Sequence, residues 1–321
     1  MTIAMLSDVH LSSHNPICRK DDLRVTQWNK LNWVYTKAFA AGCKAVVLAG
    51  DLVDIACSWS LLPELAAFLR KYSQTIMTMV VFGQHDTYMY SVVGRKKTII
   101  GAMEAAGLLT VLGSDPVEVS AGIRLHGASY GQELPKPDTK RKGNLLVIHA
   151  PISDRELWVG QSYYNANDFL WQAARSFDGV ICGDIHRAFY EKIGKRFIIN
   201  TGPLLRRKSD EGEHKPHFYI VGKDLVPVKV EIPHEPADKI ISREHIEKER
   251  AYDQLINQLQ SSKPGKTGTD VRFADILAEV VLKNTGKTNT TVMQLLADIT
   301  GINVEVARGK EKPASRQCRT K

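Results

Sequence analysis

Residues 3–10 read Ile3-Ala4-Met5-Leu6-Ser7-Asp8-Val9-His10, an apolar run of strand length that ends on Asp-x-His. The arrangement recurs along the chain. Asp51 follows Val46-Val47-Leu48-Ala49-Gly50, Gln84-His85-Asp86 follow Met79-Val80-Val81-Phe82-Gly83, His149 follows Leu145-Leu146-Val147-Ile148, and Asp184-x-His186 follows Val180-Ile181-Cys182-Gly183. Short continuous apolar runs bounded by turn residues suit strands buried on both faces. A lone Asp or His at such an end is ordinarily a turn former or a satisfied surface group. Oxygen and imidazole donors at five strand ends instead point to divalent cations, and a pair of divalent cations is suited to splitting phosphate esters.

The runs alternate with helical periodicity as far as about residue 115. Residues 26–41 place Trp28, Leu31, Tyr35 and Ala38 on one helix face, Leu61–Tyr72 repeats that pattern, and Thr98–Leu109 gives a third helix. This predicts an α/β layout with helices covering a largely parallel sheet. From Val117 to Val230 the strands are shorter and hairpin-like, with one helix expected at Asn167–Ser176. That half predicts an antiparallel or mixed second sheet, packed face to face on the first with helices outside. The polar segment Tyr130–Gly143 reads as a loop.

A boundary is expected near Ile232-Pro233, dividing a core of residues 1–232 from a helical extension of residues 233–321. Ser242 reads as the cap of a helix reaching about Gln260. Ser261–Thr269 reads as a linker, 270–282 and 290–299 as further helices, and the end as a basic tail. Gly265-Lys266-Thr267 is not a phosphate-cradling loop, because Gln260 stands where that loop needs glycine.

Composition narrows the class. The apolar fraction of 43% and charged fraction of 24% suit a globular protein large enough for a core and a small addition. Five widely spaced cysteines without a CxxC pair argue against a disulfide framework or a zinc-thiolate site, and suit a reducing, cytoplasmic setting. No signal peptide and no membrane span are expected. The net charge of +8 favours polyanionic partners. Basic residues cluster at Arg95-Lys96-Lys97, at Lys136, Lys140, Arg141 and Lys142, and at Arg206-Arg207-Lys208.

The spacing within each motif is informative. In Asp8-x-His10 and Asp184-x-His186, side chains two apart on extended backbone face the same way and can share an ion. Asp51, in Gly50-Asp51-x-x-Asp54, can bridge two cations from a strand end. Gln84-His85-Asp86 offers a carbonyl oxygen, an imidazole and a carboxylate in sequence. His14, His126, His214 and His217 belong to no comparable pattern and read as structural or surface residues.

The order Asp-x-His, Gly-Asp-x-x-Asp, Gly-x-His-Asp, strand-His, Gly-x-x-His resembles the calcineurin-like metallophosphoesterase superfamily over residues 1 to about 205. The resemblance implies a four-layer α/β/β/α sandwich around two divalent metal ions, most often Mn2+ with Mg2+ as the alternative. Within the superfamily the chain is most similar to the SbcD/Mre11 DNA-repair nuclease group of bacteria, phages and eukaryotes. The features shared with that group are the early Asp-x-His, the chain length, the exit Asn200-Thr201-Gly202-Pro203 and the helical extension.

By that resemblance Asp8, His10, Asp51 and His186 hold one ion, and Asp51, Gln84, His149 and Asp184 the other. His85 acts beside the scissile phosphate, Asp86 orients its ring, and Asp54 takes the place of a second active-site histidine. The resemblance also implies DNA as substrate, an SMC-like ATPase partner docked on the extension, and a homodimer. Lys136, Lys140, Arg141, Lys142, Arg206 and Arg207 are the expected DNA contacts. The chain departs from the superfamily at Gln84, where Asn is usual, and at Asp184, where His is usual. A phosphatase or phosphodiesterase for a small or protein-bound phosphate, and a DNA-binding scaffold with a degenerate centre, are the alternative readings.

Overall fold

The computed structural model describes residues 2–244 except Ala121, Trp158 and Val159. The helices expected beyond residue 244, the linker and the basic tail lie outside the described residues. In chain order the elements are β1 (Thr2–Leu6), α1 (Leu23–Ala40), β2 (Cys43–Leu48), α2 (Leu62–Tyr72), β3 (Met77–Val80), α3 (Ile99–Ala105), β4 (Thr110–Val111), β5 (Val117–Ser120), β6 (Ile123–Ala128), β7 (Asn144–His149), β8 (Ile152–Ser153), β9 (Tyr164–Asn165), α4 (Ala166–Asp168), β10 (Gly179–Gly183), β11 (Phe189–Ile193), β12 (Arg196–Asn200), β13 (His217–Val221), β14 (Pro227–Glu231) and α5 (Ala237–Ile240).

Two six-stranded sheets form, in the orders β14-β13-β1-β2-β3-β4 and β11-β12-β10-β7-β6-β5. In the first, β1 to β4 run parallel; in the second, β6, β7, β10 and β12 do. Antiparallel strands finish one edge of the first sheet and both edges of the second. Strand alternation divides the apolar residues between layers. Ala4 and Leu6 of β1 pack toward the helices with Leu31, Val34, Leu65 and Phe68. Ile3 and Met5 pack the other way, with Val47 and Met79, against Leu125, Leu145, Val147, Ile181 and Phe197 of the second sheet. The outer face of that sheet buries Leu146, Ile148, Val180 and Ile198 under Phe169 and Leu170. Three apolar layers thus separate four layers of structure, as expected for the α/β/β/α sandwich.

Two expectations need correction. The strands at 217–221 and 225–230 were expected in the second sheet, but β13 and β14 extend the first, with β13 antiparallel to β1. Hairpin patterning is the same on either sheet. Here β1 would otherwise be an open edge, and β13 both closes it and adds Tyr219 and Val221 to the layer between the sheets. The helix expected at 167–176 is only α4 followed by a π-type turn at Phe169–Ala173.

Helix ends and anchors hold the loops that matter for the site. Asp22 caps α1 by accepting the Arg24 and Val25 amides, and Thr98 caps α3 by accepting the Gly101 amide. Gln27, buried in α1, accepts the Ser12 N–H and donates to the Ser12 carbonyl, which fixes the chain just after His10. Residues on both sides of the expected boundary at 232 lie in one compact unit, Met1–His245. Ile240 and Ser242 pair with the Cys18–Lys20 segment, and Ser242 accepts the Glu244 amide.

Candidate metal centre

Parallel strands end on the same edge, so both sheets present their C-terminal loops together. Asp8 and His10 follow β1, Asp51 follows β2, Gln84 and His85 follow β3, His149 ends β7, and Asp184 and His186 follow β10. The loops after β1 and β2 are zipped by backbone bonds from Asp8 to Gly50 and from His10 to Asp51. The two sheets are tied there too: His149 Nδ1 donates to the Ala49 carbonyl at 2.7 Å, and the Asp184 amide donates to Asp8 Oδ1 at 3.1 Å.

All seven expected ligands meet. Ligand atoms of Asp8, His10 and His186, of His10, Asp51 and His85, and of Asp8, Asp51 and His149 each lie within 4.8 Å of one another. Asp51 Oδ2 is central, 3.6 Å from His10 Nε2 and 3.4 Å from His149 Nε2. Gln84 joins through Asp184, to whose Oδ1 its Nε2 donates at 2.6 Å.

The reason for this convergence differs from the expected one. Asp8 and His10 do not project from extended backbone: their φ angles are +52° and +47°. Asp51 (+50°) and Asp184 (+107°) are also left-handed. Such conformations are uncommon outside glycine and cost about 1–3 kcal/mol each where the surroundings enforce them. Four of the six non-glycine residues of this kind among the described residues are expected ligands, so the strain is concentrated at the site.

The donor set fits divalent cations. Asp8 Oδ2, Gln84 Oε1, His149 Nε2 and His10 Nδ1 are buried without a hydrogen-bond partner. A buried polar atom left unpaired typically costs about 1–3 kcal/mol, and all four belong to expected ligands. Electrostatics agree. Burial pulls the His149 imidazole down, but the Asp51 and Asp8 carboxylates outweigh it and push it up to about 10. Burial alone would raise Asp51; the imidazoles of His149 and His10 instead hold it down at about 2. A site that stabilises a proton on His149 has the field to stabilise a cation in its place.

The expected catalytic residues divide. His85 reaches the cluster, its amide donating to Asp51 Oδ1 at 3.0 Å. Its ring is fixed by the Asp54 carbonyl, 2.9 Å from Nδ1, and not by Asp86 as expected. Asp86 is buried and turned inward, accepting the Val53 and Gly83 amides, so it braces the two ligand loops. Asp54 stands at the rim, where its Oδ1 accepts from Arg207 at 2.6 Å and lies 3.8 Å from His10 Nδ1.

The basic residues are rearranged more. Lys140, Arg141 and Lys142 directly precede β7 and so lie at the opposite end of the strand from His149, about 17 Å away at the usual strand rise, while Lys136 stands on the segment that crosses from the end of β6 to that point. Arg206 is buried and donates to the Gly212 and Glu235 carbonyls, which is a structural role. Of the expected DNA contacts, only Arg207 approaches the centre. His126 packs on Phe177 and pairs with Asn144, consistent with a structural residue.

One residue that the sequence did not reveal completes the site. Glu211 Oε1 accepts from His186 Nδ1 at 2.8 Å, while its other oxygen accepts the Arg207 and Lys208 amides. Such a carboxylate fixes the tautomer that points Nε2 at a metal. Glu211 follows no strand and belongs to no motif, so only its tertiary contact identifies it. A cavity of about 590 Å³ opens on the cluster, lined by Asp51, Gln84, His85, Asp184, His186 and Lys208 among others.

The model of the calcineurin-like phosphoesterase family matches residues 1–188, which include all seven candidate ligands of this centre. The chain belongs to that family, whose members are metal-dependent phosphoesterases. No curated protein sequence matches the chain. Among solved structures it is similar to the protein TT1561 of Thermus thermophilus, with 12% identity, TM-score 0.45, and 72% of this chain and 99% of that one covered. It is also similar to a dimetal phosphatase from Danio rerio, with 10% identity, TM-score 0.46, and 73% and 99% covered. A third is an archaeal phosphodiesterase, with 13% identity, TM-score 0.40, and 72% and 100% covered. Among the described residues, no helix is long and apolar enough to cross a membrane.

Proposed function

We propose that this chain is a two-metal phosphodiesterase and that DNA is its substrate. The observation that carries the hydrolase reading is the convergence of Asp8 and His149 on the Asp51 carboxylate, their ligand atoms within 4.8 Å of one another, with Asp8 Oδ2 and His149 Nε2 buried and unpaired. Two divalent cations held by Asp8, His10, Asp51, Gln84, His149, Asp184 and His186, with Mn2+ the first candidate, would neutralise the phosphate and lower the pKa of a bound water. The chain's own groups do the rest. Asp51 fixes the spacing of the two positions. With the Nδ1–H of His85 given to the Asp54 carbonyl, Nε2 is the nitrogen left for proton exchange, and the imidazolium form of the ring would give the leaving oxygen its proton from there and become the neutral Nδ1–H tautomer. Arg207 and Lys208 supply positive charge at the rim for the phosphates on either side.

DNA is supported by the resemblance, the net charge of +8 and a cavity larger than a single phosphate needs. A small-molecule phosphodiester is the second reading. It is favoured by the placement of Lys140, Arg141 and Lys142 at the far end of β7 and by the burial of Arg206. Docking of an SMC-like ATPase on the region after residue 240, and a homodimer, belong to the DNA reading. Co-purification and light scattering test them.

The deciding experiment titrates Mn2+ and Mg2+ against hydrolysis of single-stranded DNA, double-stranded DNA and a chromogenic phosphodiester, with His85→Ala as control. Metal-dependent cleavage of all three, lost in the variant, supports the proposal. Cleavage of the dye alone selects the small-molecule reading. Full ion binding without turnover of any substrate selects the scaffold.

A further inference from the structure

The two positions at which the sequence departs from its superfamily are in contact. Gln84 Nε2 donates to Asp184 Oδ1 at 2.6 Å, although the residues are 100 apart in sequence. This bond decides which way the Gln84 amide faces. With its nitrogen engaged, the Oε1 lone pairs point elsewhere, and Oε1 is buried without a partner. Asp184 Oδ1 also lies 3.9 Å from His149 Nε2, itself buried and unpartnered. The Asp184 backbone is held at φ +107°, with its N–H given to Asp8.

The two departures compensate each other. A carboxylate at 184 is shorter than an imidazole, and glutamine at 84 is one methylene longer than asparagine. The carboxylate also accepts the amide N–H, which a metal-ligating imidazole could not do. Each change alone would leave a gap or a buried donor without an acceptor.

We propose that Gln84 and Asp184 form a coupled pair that makes one of the two cation positions oxygen-dominated. Its donors are oxygens of Asp51, Gln84 and Asp184 with one nitrogen, from His149. The other position, bounded by Asp8, His10, Asp51 and His186, keeps two nitrogens. Oxygen donors suit Mg2+ and Mn2+, whereas imidazole strengthens the claim of Zn2+. The first position therefore discriminates against Zn2+ relative to an Asn/His pair. This inference rests on the two-cation reading above.

The test compares the wild-type chain with Gln84→Asn, Asp184→His and the double variant, each stripped of metal and dialysed against equimolar Mn2+ and Zn2+. Elemental analysis counts ions per chain, and thermal melting confirms the fold. We expect the Zn2+ to Mn2+ ratio to be about tenfold or more higher in the double variant than in wild type. We also expect each single variant to retain less total metal than the double. Equal ratios in wild type and double variant, with two ions bound, overturn this inference alone. A wild-type chain that binds no ions overturns the metal centre as well. Should the histidine variants fail to fold, Asp184→Asn keeps the size and the acceptor. It should weaken binding of one Mn2+ by about tenfold, and unchanged affinity would overturn the pair's role.

Discussion

Nε2 of His10 lies 2.9 Å from Nε2 of His186, with the rings edge to face. His186 Nδ1 faces the Glu211 carboxylate, so its Nε2 carries the lone pair. Burial drives His10 down to about 3, so its ring is neutral. Two imidazole nitrogens at this spacing, beside Asp8 and Asp51, are placed to share one cation. Ions should therefore stabilise the fold: removal by chelation lowers the melting temperature, and readdition restores it.

Asp51→Ala should empty both cation positions, because Asp51 Oδ2 is the oxygen within reach of both His10 and His149. Elemental analysis should find no stoichiometric metal in the variant. Two ions per chain would show that Asp51 is not the bridge.

His85→Ala should keep its ions and lose turnover by about 10²-fold or more, the usual contribution of a positioned proton donor. Steady-state kinetics at saturating metal measures this. A rate within about twofold of wild type, far short of that contribution, would remove His85 from the chemistry.

Glu211→Gln keeps the shape but removes the charge, and it leaves one acceptor oxygen where two serve His186 and the Arg207 and Lys208 amides. Metal affinity should fall about 10- to 100-fold, read by calorimetry, with more ion restoring activity. An unaltered affinity would leave Glu211 a role only in the loop.

Raising the pH should weaken the metal-free chain. The folded His149 value, about 10, lies above its ordinary 6.5. Its stabilising contribution is therefore complete below about 6.5 and is lost as pH rises through about 10. The metal-free melting temperature should fall between about pH 7 and pH 10, and the loaded protein should change less. Metal uptake near pH 7 should also release a proton, measured by calorimetry in buffers of different ionisation enthalpy. Uptake without release would exclude His149 as a ligand.

Gly50→Ala should be more damaging than Gly42→Ala. Both glycines have positive φ, +86° and +74°. A methyl at Gly42 meets open space, whereas one at Gly50 collides with the His149 ring. The first should cost the backbone strain alone, about 1–2 kcal/mol. The second should also displace a ligand and reduce bound metal. Equal melting temperatures and equal metal content would contradict the packing described.

By itself the sequence determined the strands, their apolar faces and the seven candidate ligands that the structure brings together, because these rest on local pattern: continuous apolar runs, each closed by a donor residue. It misplaced β13 and β14, whose hairpin pattern is the same on either sheet, and it put Lys136–Lys142 beside the site through closeness in sequence alone. A strand has two ends, and only the direction of β7 in the sheet shows that Lys140, Arg141 and Lys142 lie at the one away from His149. The tertiary structure alone decided that Asp86 braces loops while the Asp54 carbonyl orients His85, that Glu211 serves His186, and that Gln84 meets Asp184. Those partners are distant in the chain or lie outside any motif. Their pairing follows from which buried donor finds which acceptor once two sheets have packed, and no local pattern records that.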